Sequence, residues 1–164
     1  MESIKALRDE TGAPVGDVRN ALEAAGGDVK KARVILQQKN AQLAEKRQGR
    51  ATGQGRIESY IHHDGRMGAL VEVNCETDFV ARTDDFKQFC RDLAMHVAAS
   101  GPRFVKPEEA SKDLGAEEVK QACLVEQPFV KDPGVTVGQL LETLIGKTGE
   151  NVNIKRFVRF GLGD

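Results

Sequence analysis

The sequence carries no surplus of either charge: 24 Lys and Arg stand against 25 Asp and Glu, for a formal net charge of −1 and a pI of about 6.3. Broad nucleic-acid binding draws on a basic excess, so no direct nucleic-acid partner is expected. No stretch approaches the roughly 20 consecutive apolar residues of a membrane-spanning helix, so no membrane role is expected either. The opening MESIKALRDETG has early acids and no apolar run, and reads as neither a signal peptide nor a transit peptide. Cysteine is scarce. Cys75, Cys90 and Cys123 are an odd number at wide spacing, so no disulfide framework follows and reduced thiols in a cytoplasmic setting are expected. The familiar chemical motifs are missing as well: there is no CxxC, HxxxH, HExxH, Walker A or GxGxxG. GRATGQG reads as a flexible linker, and the acids Glu76, Asp78, Asp84 and Asp85 lack the spacing of a calcium loop. His62 and His63 are neighbours on an expected strand, which points them to opposite faces. No metal site and no cofactor are expected.

What is there reads as a folded α+β chain. Its 164 residues are 40% hydrophobic and 30% charged, enough for a modest core under a well-solvated surface. Residues 4–39 read as three short helices. Gly12 and Pro14 separate the first two, Gly26-Gly27 ends the second, and Asp28 caps the third. Polar, glycine-containing residues 41–56 read as a helical extension fraying into a linker, which places a domain boundary near residue 50. Residues 1–50 are thus a three-helix module with its linker, and 51–164 an α+β core. The core opens with a hairpin, strands 56–63 and 66–76 joined through Asp64-Gly65. Ala69, Val71, Val73 and Cys75 share one face of its second strand.

A helix over 83–100 carries the apolar stripe Phe86, Phe89, Cys90, Leu93, Ala94, Val97 and Ala98. Thr83 or Asp84 caps it. Short helix 116–124 and an irregular apolar link, VEQPFVKDPG, lead to a helix opened by a Thr136…Gln139 capping box. A third strand, 151–160, follows, with Val152, Ile154, Arg156, Val158 and Phe160 in phase. The fold expected is a small three-stranded antiparallel sheet covered by helices on one face.

The side chains with chemical potential are few. Cys75 and Cys90 are in phase with core positions and read as small buried hydrophobes, not nucleophiles. His96 lies beside the helix stripe, where a lone histidine is usually packed or hydrogen-bonded. The segment NCETDFVARTDDF, residues 74–86, leaves two arrangements open. Phe79 keeps the odd-position phase of Val71 and Val73 and could tuck under the following helix. The alternative is that it stands at a loop tip as an anchor for a partner's pocket.

YIHHDGRMGALVEVNCETDFVARTDDF, LAMHVAAS, the N-terminal TGA…ALEAAGGDVKKA, LVEQPFVKDP and GENVNIKRFVRFGLG together resemble the elongation factor Ts family, in order and over nearly the whole chain. The resemblance implies a guanine-nucleotide exchange factor, not an enzyme, acting on elongation factor Tu, with no cofactor of its own. It implies that the three-helix module is ubiquitin-associated-like and docks on the nucleotide-binding domain of elongation factor Tu through Thr11, Gly12 and Val15. It further implies that Thr77, Asp78, Phe79 and Val80 form the loop that disturbs Mg²⁺ and phosphate contacts there, with His96 at the contact surface. Val15-Gly16 stand where the family commonly has two methionines, and the 106–123 connector is short. The single core copy matches short members, for which a homodimer is a candidate assembly. The alternative is a non-catalytic adapter that binds through the three-helix module.

Overall fold

A computed structural model describes residues 2–164. The first helix, α1 (Glu2–Thr11), ends where Gly12 adopts φ 66°, a left-handed conformation that favours glycine, and returns its N–H to the Arg8 carbonyl at 2.8 Å. Pro14 then opens α2 (Val15–Ala24). Asp28 caps α3 (Val29–Arg47) by accepting the Lys30 and Lys31 amides at 2.9 and 3.1 Å. Leu7, Ala13, Val18, Ala21, Ala32 and Leu36 close a small core of their own.

The helical extension expected after Lys39 forms as part of α3. The helix runs straight on to Arg47, and its second half lays Leu43 and Ala44 against the larger core. A helix facing two cores in turn keeps no single apolar stripe, which is why its periodicity fades after the first three turns.

The larger core is one face of a sheet with strand order β1 (Gln54–Ile61), β2 (Met67–Cys75), β5 (Val152–Gly161), all antiparallel. The expected hairpin forms around Asp64-Gly65, with a longer turn than a two-residue loop: the His62 amide reaches the Met67 carbonyl at 2.9 Å. Ala69, Val71, Val73 and Cys75 are buried as the alternation requires, under α5 (Asp84–Ser100) and its stripe from Phe86 to Ala98. Thr83 caps α5 through the Phe86 amide, and Gly101, φ 56°, ends it. The capping box of α7 (Val137–Thr148) forms as expected: Thr136 N–H donates to Gln139 Oε1 at 2.9 Å, and Gln139 N–H to Thr136 Oγ1 at 3.2 Å. α7 passes Gly146 without a break and ends at Gly149, φ 72°.

Two expectations are corrected. The in-phase reading of the last strand holds only for its first half. Glu72 faces Arg156 while Val73 faces Ile154, so Lys155 is an extra residue, a β-bulge that flips the alternation. Beyond it Phe157 and Arg159 turn inward, and Val158 and Phe160 turn to the open face. The Arg159 guanidinium satisfies the Ala98 carbonyl at the end of α5 at 2.9 Å. The apolar link before α7 is likewise not irregular. Pro128–Phe129 (β3) and Asp132–Thr136 (β4) form a two-stranded ribbon, anchored by buried Phe129. Between α5 and this ribbon lie a 3-10 turn at Pro107–Glu109, α6 (Ala116–Ala122) and a second 3-10 turn at Leu124–Glu126.

Candidate functional site

The backbone leaves the sheet after Cys75 and turns at once into a single helical turn, α4 (Asp78–Ala81), rather than a loop. Thr77 is its N-cap, accepting the Val80 amide at 3.4 Å. Six residues later Thr83 caps α5, while its hydroxyl donates to the Val80 carbonyl at 2.8 Å. Two caps in succession hold α4 between strand and long helix. The change from strand to helix breaks the two-residue alternation, so Phe79 does not inherit the inward phase of Val71 and Val73. Val80 and Ala81 pack on the core instead, and Phe79 is left 80% exposed. A solvated phenylalanine on a doubly capped turn gives up apolar burial that a partner's pocket could restore, worth about 2 kcal/mol. Beside it, Asp78 pairs with Arg82 one turn on, at 3.1 Å.

Beneath the turn the Cys75 thiol donates to the Thr77 carbonyl at 3.1 Å. Burial pushes the Cys75 pKa up to about 11 and that of Cys90 up to about 12, so both remain thiols at neutral pH and neither is an activated nucleophile. Among the described residues no group of three or more His, Cys, Asp or Glu side chains is arranged to hold a metal ion. The strand argument for His62 and His63 needs revising, since both lie beyond the end of β1 and their rings approach to 4.3 Å.

His96 is not at the surface. It is completely buried near the end of α5, about three and a half turns from the Thr83 cap. Its Nδ1 accepts the Val130 amide at 3.2 Å, so the ring proton sits on Nε2, which donates to Gln127 Oε1 at 2.9 Å. Gln127 passes its own amide to the Gln121 carbonyl at 2.6 Å, and the Phe129 ring packs at 5.9 Å. Burial lowers the His96 pKa, opposed by the Gln127 bond. The side chain ties α5 to the β3–β4 ribbon and offers no atom to a partner. Its place beside the helix stripe had pointed to this packed role.

The three N-terminal candidates separate in the same way. Thr11 is buried, its hydroxyl donating to the Leu7 carbonyl at 2.6 Å. Gly12 lies beneath the Lys147 side chain of α7, with no room for a Cβ. Val15, at 47% exposure, presents its side chain outward, as does Val34 on α3.

Two features escaped the sequence. The bulge at Lys155 turns the open face of the sheet apolar, with Ile61, Leu70, Val158 and Phe160 on three adjacent strands and Leu162 beyond. The Glu150 carboxylate, 73 residues from Thr77, meets the foot of α4.

A family model described as Elongation factor TS matches residues 10–121. The chain belongs to the elongation factor Ts family. It is 46% identical to the elongation factor Ts of Rubrobacter xylanophilus, with 99% of this chain and 98% of that protein aligned. It is 44% identical to that of Carboxydothermus hydrogenoformans, over 99% and 88%, and 44% to that of Koribacter versatilis, over 98% and 87%. Membership makes it a translation elongation factor. The first two alignments run to 191 and 192 positions against 164 residues here, so these elongation factor Ts relatives carry residues without a counterpart in this chain. No helix among the described residues is long and apolar enough to cross a membrane.

Proposed function

We propose that the protein accelerates GDP release from elongation factor Tu by seating the Asp78–Phe79 turn against its nucleotide-binding domain, in the cytoplasm. The observation that carries this reading is the exposure of Phe79 on a turn whose foot is packed and capped. An interface phenylalanine supplies about 2 kcal/mol or more when a partner buries it. GDP in a GTPase is held through phosphate contacts and a bridging Mg²⁺, so an aromatic wedge there weakens the contacts that resist release. A factor that prefers the nucleotide-free state must weaken GDP by the same factor that GDP weakens it. Release is hastened, the overall GDP/GTP equilibrium is untouched, and no covalent step is needed. The three-helix module, residues 1–50, would dock beside the turn through Val15 and neighbouring exposed residues, with the core of residues 51–164 as the exchange unit.

The open sheet face supports a second element of the reading, self-association. Apolar side chains on three adjacent strands are what one half of a two-sheet sandwich presents, and a second copy of this chain is the matching half.

Release of a fluorescent GDP from elongation factor Tu tests the proposal. The unmutated protein is expected to accelerate release and Phe79→Ala to lose most of that acceleration. No acceleration by the unmutated protein would end the exchange reading, leaving the adapter. An undiminished rate with Phe79→Ala would remove the wedge.

A further inference from the structure

At Cys75 the pairing of β2 with β5 ends, opposite Val152. The next two amides, of Glu76 and Thr77, therefore have no strand partner. Both donate to one oxygen, Glu150 Oε2, at 3.1 and 3.0 Å. The other oxygen, Oε1, accepts the Thr77 hydroxyl at 2.5 Å. The arrangement is reciprocal: Glu76 Oε1 accepts the Asn151 amide at 2.7 Å, so each glutamate finishes the backbone bonding of the other's strand end.

The Thr77 hydroxyl carries one proton. Because that proton is committed to Glu150, only a lone pair faces the Val80 amide, which is what an N-cap requires. Glu150 thus sets the cap, the cap orients α4, and α4 orients Phe79. A second tier reaches α3. Asn151 Nδ2 donates to the Gln48 and Arg50 carbonyls at 3.3 and 2.8 Å, and the Arg50 guanidinium lies 3.6 Å from Glu76 Oε2. The foot of the turn is therefore bonded to the end of the helix that carries the N-terminal module.

We infer that Glu150 is a positioning residue: its carboxylate, bound to two backbone amides and the Thr77 hydroxyl, fixes the direction in which Phe79 stands off the sheet, and so sets the exchange rate without touching the partner. This inference rests on the exchange reading above. A wedge acts only where it points, and charge-assisted bonds to backbone are among the stronger ways to aim one. The residue is 73 positions away in sequence, outside the TDFV segment.

The test uses the full chain and two measurements on Glu150→Ala and Glu150→Gln. Hydrogen exchange of the free protein is expected to speed up at the Glu76, Thr77 and Val80 amides in Glu150→Ala, with the α5 amides from Phe89 to Val97 still protected. Protection in α5 shows that the fold is kept. In GDP release, Glu150→Ala is expected to lower the rate at saturating factor by about tenfold, the scale of a slightly misplaced contact group, with little change in the half-saturating concentration. Glu150→Gln keeps an acceptor for the two amides and is expected to fall between the two. In a Phe79→Ala background, Glu150→Ala should cost nothing more. An equal further loss in that background would show general destabilisation and overturn the positioning role. An active unmutated protein whose Glu150→Ala variant accelerates GDP release just as much would overturn it while leaving the exchange reading intact. No acceleration by the unmutated protein would end both.

Discussion

The join between the N-terminal bundle and the core can be tested at Gly146. This residue sits inside α7, where a glycine costs about 1 kcal/mol relative to alanine, so Gly146→Ala would ordinarily stabilise the helix. Here α3 passes so close that a Cβ at Gly146 would lie 2.2 Å from Asn40 Oδ1 and 2.8 Å from its Cγ. Asn40 is buried, has only two side-chain torsions, and sits on a helix that excludes one rotamer well. Relief comes from turning the Asn40 side chain inside a closed interior or from pushing the helices apart, and such overpacking costs about 1–3 kcal/mol. With the cost near its upper end, Gly146→Ala is expected to be destabilised by about 2 kcal/mol net, or about 4–8 °C in Tm for a chain of this size. Asn40→Ala removes the obstructing atoms. It also removes an Nδ2 group that is buried with no hydrogen-bond partner among the described residues. The double variant should therefore recover to the stability of the unmutated protein or above, with a coupling of about 2–3 kcal/mol between the two positions. Urea unfolding followed by circular dichroism on all four proteins measures this cycle. A Gly146→Ala variant as stable as its parent, or additive effects of the two changes, would refute the close crossing of α3 and α7.

Three further outcomes are expected. His96 is neutral when folded and its pKa is depressed from 6.5, so stability is fully present above about pH 6.5 and falls as pH drops through the lower folded value; His96→Gln should flatten that slope in denaturant midpoints measured from pH 7.5 to 5. Cys75 and Cys90 are completely buried with raised pKa values, so a thiol reagent at pH 7.5 should label them no faster than the protein opens, whereas urea should release full labelling; fast labelling of the folded chain would place them wrongly. Phe160 is 73% exposed on the open sheet face, so Phe160→Asp should shift any self-association toward monomer in sedimentation velocity at fixed concentration, with little change in unfolding midpoint.

Three helix caps and two periodic faces, which depend on residues a few positions apart, were legible in the sequence; the equally local Thr77 cap and its turn were not. Asp28, Thr83 and the Thr136…Gln139 pair cap their helices because a cap needs only its own side chain and amides two or three residues on. The inward face of β2 and the stripe of α5 followed from periods of two and 3.6. Even His96 was read correctly as a packed residue from its place beside the stripe, although the family resemblance had put it at the surface. The rest of what could not be read depended on distant partners. The bulge at Lys155 exists only against β2, the second half of α3 packs where α7 lies alongside, and the β3–β4 ribbon needs the pocket that takes Phe129. Phe79 shows the division most clearly. Its own neighbours left its direction open, because strand phase argued inward and the end of the strand argued outward. The turn into helix at Thr77, braced by a carboxylate that chain folding brings from residue 150, sends it outward. Local periodicity determines which residues belong to a core; only the meeting of remote segments determines which one is left standing out of it.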